Sequence, residues 1–310
     1  MLKKSLLKRL FLISSCLFIL FILYLFPEKD SEIEVNKKHN PFEETSIYLI
    51  DSSSYVSRVS VVVNQKEKLE KIKEIISYLT INSKHSNYIK EGFKGVIPEN
   101  TKLINLDLKD GLLKLNFSKE FYNISLEDEE KMISAIIYSL TDIDGIEKIT
   151  IFVEDAILHE MPNSKIKLSP TLDRSFGINK IYDLTNFKGS VSTTVYYLSR
   201  HKDYYYYVPV TMINNQKNDK IEIIINELTS KTMYQTNLIS YLNRKDDLSY
   251  EVFDDYLVIN LCSELYHDLN SSNLIESVIY SMNLSIKENY NVKSVMYTTN
   301  SRTLGVYYFD

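Results

Sequence analysis

The sequence predicts a mixed α/β protein of the α+β, two-layer kind. It reads as an N-terminal membrane anchor followed by two small tandem domains, each with two helices on a mixed or antiparallel sheet. Three observations predict this. Residues 107–122 recur as residues 251–266 at one constant offset, with Leu113, Leu115 and Phe117 becoming Leu257, Ile259 and Leu261. Two helix-spaced apolar sets, Ile72/Ile75/Ile76/Leu79 and Ile133/Ile136/Ile137/Leu140, return in order as Ile221/Ile224/Ile225/Leu228 and Ile275/Val278/Ile279/Met282. Such ordered self-similarity marks an internal duplication. Finally, residues 10–26 are almost continuously apolar behind Lys3, Lys4, Lys8 and Arg9.

That first segment sets the location. Basic residues before the apolar run and acidic ones after it (Glu28, Asp30, Glu32, Glu34) place the N-terminus in the cytoplasm and the body outside. A single-pass anchor over residues 1–26 is favoured over two rivals. A cleaved leader lacks a small-x-small site. A lipoprotein would be acylated at Cys16, but residues 17–26 after it are more apolar than what precedes it, where a lipid-anchored start is followed by a polar tether. Residues 27–44 are polar and aperiodic, a flexible tether.

The first domain spans residues 45–161. Residues 46–51 and 57–63 are short strands, and Val59, Val61 and Val63 share a face. Residues 65–81 form a helix, with Asn64 and Glu67 as a capping-box start. Asp110-Gly111 is a two-residue hairpin turn between strands 103–108 and 113–117, because Gly tolerates the positive φ that such turns need. A second helix covers 127–141 with Ser125 as its candidate N-cap, and a strand covers 148–153. Residues 162–190, which contain Pro162, Pro170, Gly177 and Gly189, are a partly ordered linker. The order then restarts over 191–310. Strands lie at 191–199 and 204–212, the two helices follow, and strands at 292–299 and 303–309 close the domain.

Composition narrows function. The 310 residues carry a net charge of −5, and removing the four cations of the first 26 leaves −9, which argues against nucleic-acid binding. Seven glycines leave no phosphate-binding loop. Cys16 and Cys262 cannot form a disulfide framework. The five histidines show no metal-ligand spacing. The carboxylates repeated in both halves, Asp110/Glu120 and Asp254/Glu264, fit turn and loop roles better than an acid–base pair. No catalytic residue, metal or cofactor site, or small-molecule substrate is expected. The unusual run is Tyr204, Tyr205, Tyr206 and Tyr207. On a strand, alternate rings face opposite sides, so one pair joins the core and the other is offered to a protein interface.

Residues 95–103 (Gly-Val-Ile-Pro-Glu-Asn-Thr-Lys-Leu), Asp110-Gly111, residues 115–121 (Leu-Asn-Phe-Ser-Lys-Glu-Phe), residues 136–141 and residues 146–154 together resemble the GerM domain. The second unit departs from the pattern: Asp255 replaces the turn Gly, Cys262 replaces Ser118, and the Pro-Glu-Asn-Thr lead-in is missing. The resemblance implies a ring-building-motif-like fold and a membrane-attached, non-enzymatic sporulation and germination protein. It also implies an extracytoplasmic body, partners in the sporulation envelope complex, and homo-oligomers. A module that binds peptidoglycan or a small ligand is the alternative.

Overall fold

The computed structural model describes residues 44–184, 189–215, 219–229, 238, 242, 248–271, 274–300 and 302–309. The expected anchor, Cys16 and all but the last residue of the expected tether lie outside the described residues. Among the described residues, no helix is long and apolar enough to cross a membrane.

The first repeat runs β1 (Glu44–Asp51), β2 (Val56–Val62), α1 (Lys68–Leu79), β3 (Phe93–Lys94), β4 (Leu103–Lys109), β5 (Leu112–Phe117), α2 (Glu129–Leu140), β6 (Lys148–Val153) and β7 (Ala156–Ile157). After β8 (Ile181–Asp183), the second runs β9 (Val191–His201), β10 (Tyr204–Asn214), α3 (Lys220–Thr229), β11 (Leu248–Val252) and β12 (Tyr256–Leu261). It ends with α4 (Ser263–Ser271), α5 (Ile275–Asn289), β13 (Ser294–Thr299) and β14 (Arg302–Tyr308). The apolar helix spacings form the core: Ile72, Ile75, Ile133, Ile136, Ile221 and Ile224 are all inaccessible to solvent.

The strands form three sheets. Two are small and share one plan. In β4-β5-β6-β7 and β11-β12-β13-β14, an antiparallel hairpin is followed by a parallel crossover through helix and a final antiparallel strand. The third sheet is common to both repeats. The hairpins β1–β2 and β9–β10 meet at one antiparallel bridge, Arg58 to Tyr207, and β8 joins β10 in parallel.

Local signals mostly act as the sequence suggests, with three differences. The Asp110-Gly111 turn has positive φ at both residues (49° and 76°), the geometry of a tight hairpin. In the second repeat, neither Asp254 nor Asp255 has positive φ, so the glycine is dispensable there. First, Glu67 caps α1 alone, its carboxylate accepting the Glu70 N–H at 3.1 Å, while the Asn64 N–H donates to Glu74. Second, the N-cap of α2 is Asp128, not Ser125. Third, α4 is a helix where the first repeat has only a 3-10 turn, Lys119–Tyr122. Cys262 Sγ accepts the Leu265 N–H at 3.4 Å, and Leu265 and Leu269, one turn apart, are buried.

Residues 162–184 pack as part of the body. Leu168, Leu172 and Ile178 are buried. Ile149 and Leu172 exchange two backbone hydrogen bonds of 2.8 Å. Asn179 fills the gap beside the Arg58–Tyr207 bridge. It accepts the Val56 N–H at 2.9 Å and donates to the carbonyls of Val56 (2.8 Å) and Pro209 (2.7 Å). Gly177 has φ +78°, and a Cβ there would stand 3.1 Å from Thr211, whose hydroxyl accepts the Ile178 N–H.

Candidate functional site

The densest polar cluster lies at the seam between the repeats. Its chemistry begins with three buried tyrosines: Tyr48 on β1, Tyr138 on α2 and Tyr196 on β9. The hydroxyls of Tyr48 and Tyr196 meet at 3.0 Å, and Tyr196 donates to Glu288 of α5 at 3.1 Å. Arg174, in the 3-10 turn Arg174–Phe176, pairs with Glu288 at 2.8 Å. The same guanidinium reaches the Tyr48 hydroxyl and the Tyr138 carbonyl at 3.4 Å each, donates to Thr141 at 3.1 Å, and stacks over the Tyr138 ring at 4.5 Å. Asp142 lies 3.5 Å from the Arg174 guanidinium through Oδ1, and through Oδ2 it lies 3.6 Å from Arg58, which donates to the Tyr280 hydroxyl at 3.0 Å. Both repeats and the connecting segment therefore contribute charge to one network.

Burial dominates the electrostatics. It raises the Glu288 carboxyl above its ordinary value, against the opposing pull of Arg174 and the Tyr196 hydroxyl. Burial, then the nearby Asp142, pushes Tyr48 up to about 12. Burial is the largest single influence on Arg174 and would lower it, but Glu288, Tyr48, Tyr196 and Asp142 together outweigh it and keep the guanidinium charged. The charges and hydroxyls of this network are satisfied by one another, the arrangement of groups that hold two surfaces together.

The tyrosine run enters the same seam. Tyr206 is buried, and its hydroxyl donates to Asp51 Oδ2 at 3.1 Å. Tyr207 is half-buried against Tyr280, with centroids 5.1 Å apart, and pairs with Arg58 through the inter-repeat bridge. Tyr204 is half-buried, stacked on Tyr206 and in contact with the Lys90 ammonium. Tyr205 is half-buried beside Arg200.

The polar residues at the ends of β5 serve backbone geometry. Asn116 Nδ2 donates to Asp155 at 2.6 Å and its Oδ1 accepts the Asp155 N–H at 3.1 Å, which pins the β6–β7 turn. Ser118 Oγ accepts the Lys102 N–H at 3.0 Å, and the Ser118 N–H bonds back to Lys102. Asp110 and Glu120 lie at opposite ends of β5, about 20 Å apart at the usual rise per residue, so they cannot work as an acid–base pair.

Sequence reasoning missed three features. Arg174 and Glu288 carry no local signal in the sequence. The stripe Ser281, Ser285, Asn289 on α5 was visible, at i, i+4 and i+8 beside the apolar face. It satisfies the free edge of β9: Asn289 accepts the Thr194 N–H (3.1 Å) and donates to its carbonyl (2.7 Å), Ser285 accepts the Tyr196 N–H (2.9 Å), and Ser281 donates to the Tyr196 carbonyl. The third is a set of catalytic appearance. Ser77 Oγ lies 2.8 Å from His85 Nδ1, and His85 Nε2 lies 3.7 Å from Glu74. Yet Glu74 is engaged by the N–H groups of Asn64 and Gln65, and Ser77 sits in the last turn of α1, where exposed carbonyls oppose an oxyanion. Among the described residues, no group of three His, Cys, Asp or Glu side chains could hold a metal ion.

Comparison with known proteins places this arrangement. Residues 46–158 match the family described as "Germane: Sporulation and spore germination". The chain is 29% identical over 264 residues to the spore germination protein GerM of Bacillus subtilis (strain 168), covering 83% of this chain and 71% of that protein. It is also similar to the solved structure of the tandem GerMN domains of the sporulation protein GerM from Bacillus subtilis. That match has a TM-score of 0.73 and 27% identity, and covers 85% of this chain and 93% of the other.

Proposed function

Because the chain belongs to the Germane family of sporulation and spore germination proteins, we propose that it is a membrane-anchored, extracytoplasmic scaffold of spore formation and germination that docks on envelope partners without catalysing a reaction. The observation that carries this reading is the seam. Its charged and hydroxyl groups are spent on fixing two repeats as one body, as suits a protein that presents surfaces in a set relation. The anchor over residues 1–26 tethers that body to the cell membrane with its N-terminus in the cytoplasm. Acylation at Cys16 is the competing mode of attachment. Tyr204 and Tyr205, half-buried at the start of β10, are the part of the tyrosine run that a partner or a second copy would cover.

The test is affinity purification of the full-length protein from sporulating cells in mild detergent. It should return oligomers or a stable complex with other envelope proteins. Recovery as monomer alone, at every stage of sporulation, would count against the scaffold. Mass spectrometry of the intact purified chain separates the two modes of attachment: an uncleaved N-terminus supports the anchor, and a chain beginning at acylated Cys16 excludes it.

A further inference from the structure

The outer faces of the two small sheets have diverged. In the first, Lys109 and Lys148 flank Leu112 in one row, and Asp107, Lys114 and Thr150 form the next. In the second, the rows are Tyr256, Ser294 and Tyr308, then Glu251, Val258, Met296 and Val306, then Ser249, Asn260 and Thr298. Glu251 is the only charge in these three rows. Tyr256 stacks on Phe253 with centroids 4.5 Å apart and planes at 11°, and Tyr308 is 71% exposed. A groove of about 390 Å³ opens at the polar end, bordered by Ser249, Glu251, Val258, Asn260, Thr298 and Asn300.

The repeated asparagine shows what changed. Asn116 spends both its amide oxygen and its nitrogen on Asp155. Asn260 accepts the Thr298 hydroxyl at 3.1 Å, and its NH2 has no acceptor among the described residues. Ser249 and Glu251 are exposed beside it. Together they supply a free amide donor, a hydroxyl and a carboxylate on an apolar floor.

We propose that this face binds an uncharged glycan chain. A pyranose ring has an apolar C–H face and a rim of hydroxyls, so exposed tyrosines carry its face while Glu251 accepts from hydroxyls and Asn260 donates to an acetamido carbonyl. Rows about 7 Å apart make the platform long enough for two to three rings. Charge selects the class. A body of net −9 outside the first 26 residues repels polyanions, and a single carboxylate gives a polycation little to hold. The inference rests on the scaffold reading only in placing the body outside the membrane.

The test is calorimetric titration of the full-length protein with chitotetraose, a chain of four N-acetylglucosamines, and in parallel with cellotetraose. Chitotetraose should bind saturably and more tightly than cellotetraose. Glu251→Ala and Tyr308→Ala should each weaken it about tenfold with unchanged melting, while Lys114→Ala on the first sheet leaves it unchanged. No saturable binding at millimolar sugar, or equal weakening by Lys114→Ala, overturns the proposal. Loss of a co-purifying protein in Tyr308→Ala without sugar binding also overturns it and assigns the face to protein docking. Absence of sugar binding leaves complex formation by the wild-type chain as a separate result.

Discussion

Arg174 and Glu288 show how far one pair can matter in this molecule. Glu288 is 8% exposed and Arg174 27%. Removing the cation leaves a carboxylate facing Tyr196 without its ion-pair partner, a loss of the kind that costs about 3 kcal/mol when one partner of a buried pair is deleted. Arg174→Ala should therefore lower unfolding free energy by that order in urea titrations; a change under about 0.5 kcal/mol would show that water replaces the guanidinium. Glu288 also sets a pH dependence. Burial raises its folded pKa above the unfolded value, so the folded state binds the extra proton. Its contribution is fully present below the unfolded pKa and is lost as pH rises through the folded one. The stability difference between wild type and Glu288→Gln should then shift in favour of wild type as pH falls from 7 towards 5. A difference that stays flat, or moves the other way, contradicts the assignment. Asn116 offers a comparison within one chain. Asn116→Ala loses both bonds to Asp155 and should cost about 1–3 kcal/mol, whereas Asn260→Ala loses one and should cost less, as paired thermal melts would show.

At the level of elements, the free edge of a strand is a hazard unless something covers it. β9 pairs with β10 on one side, and on the other α5 supplies the Ser281, Ser285 and Asn289 side chains in place of a neighbouring strand. Thr194 is buried, so Asn289→Ala strands its N–H and C=O together. The expected result is a loss of about 1–3 kcal/mol and faster aggregation on warming, read by light scattering; unchanged scattering would mean that the helix still shields the edge sterically. This stripe also explains a register that sequence comparison misplaced. The recurrence of Ile133/Ile136/Ile137/Leu140 as Ile275/Val278/Ile279/Met282 aligns Ser139 with Ser281. In the structure Ser139 Oγ accepts the Tyr48 N–H at 2.9 Å, and the residue doing the same for Tyr196 is Ser285. A slip of one helical turn keeps the same face inward, so apolar periodicity cannot detect it. Strands and hairpins were legible for the opposite reason, since a slip of one residue turns every side chain over. The α4 helix was not legible because Cys262, Leu265 and Leu269 alone make too short a pattern.

At the scale of the whole molecule, period-2 patterning says which face of a strand is buried but not which strand lies beside it. The sequence therefore suggested two separate sheets for two domains, and it could not show that β1–β2 and β9–β10 leave their own repeats to share one. Nor could it assign Arg174, whose partners are set by that sharing. The sharing has a measurable consequence. One bridge, Arg58 to Tyr207, would be a weak joint by itself. Asn179, the Tyr48–Tyr196 contact and the Arg174–Glu288 pair reinforce it from both sides. If these contacts couple the repeats, heat should unfold the described body in one calorimetric transition, with van't Hoff and calorimetric enthalpies equal. Arg174→Ala combined with Asn179→Ala should separate it into two transitions while far-UV circular dichroism at 20 °C stays close to wild type. Two transitions already in the wild type would show that each repeat is stable by its own core, and that the seam orients the repeats without contributing to their cooperativity.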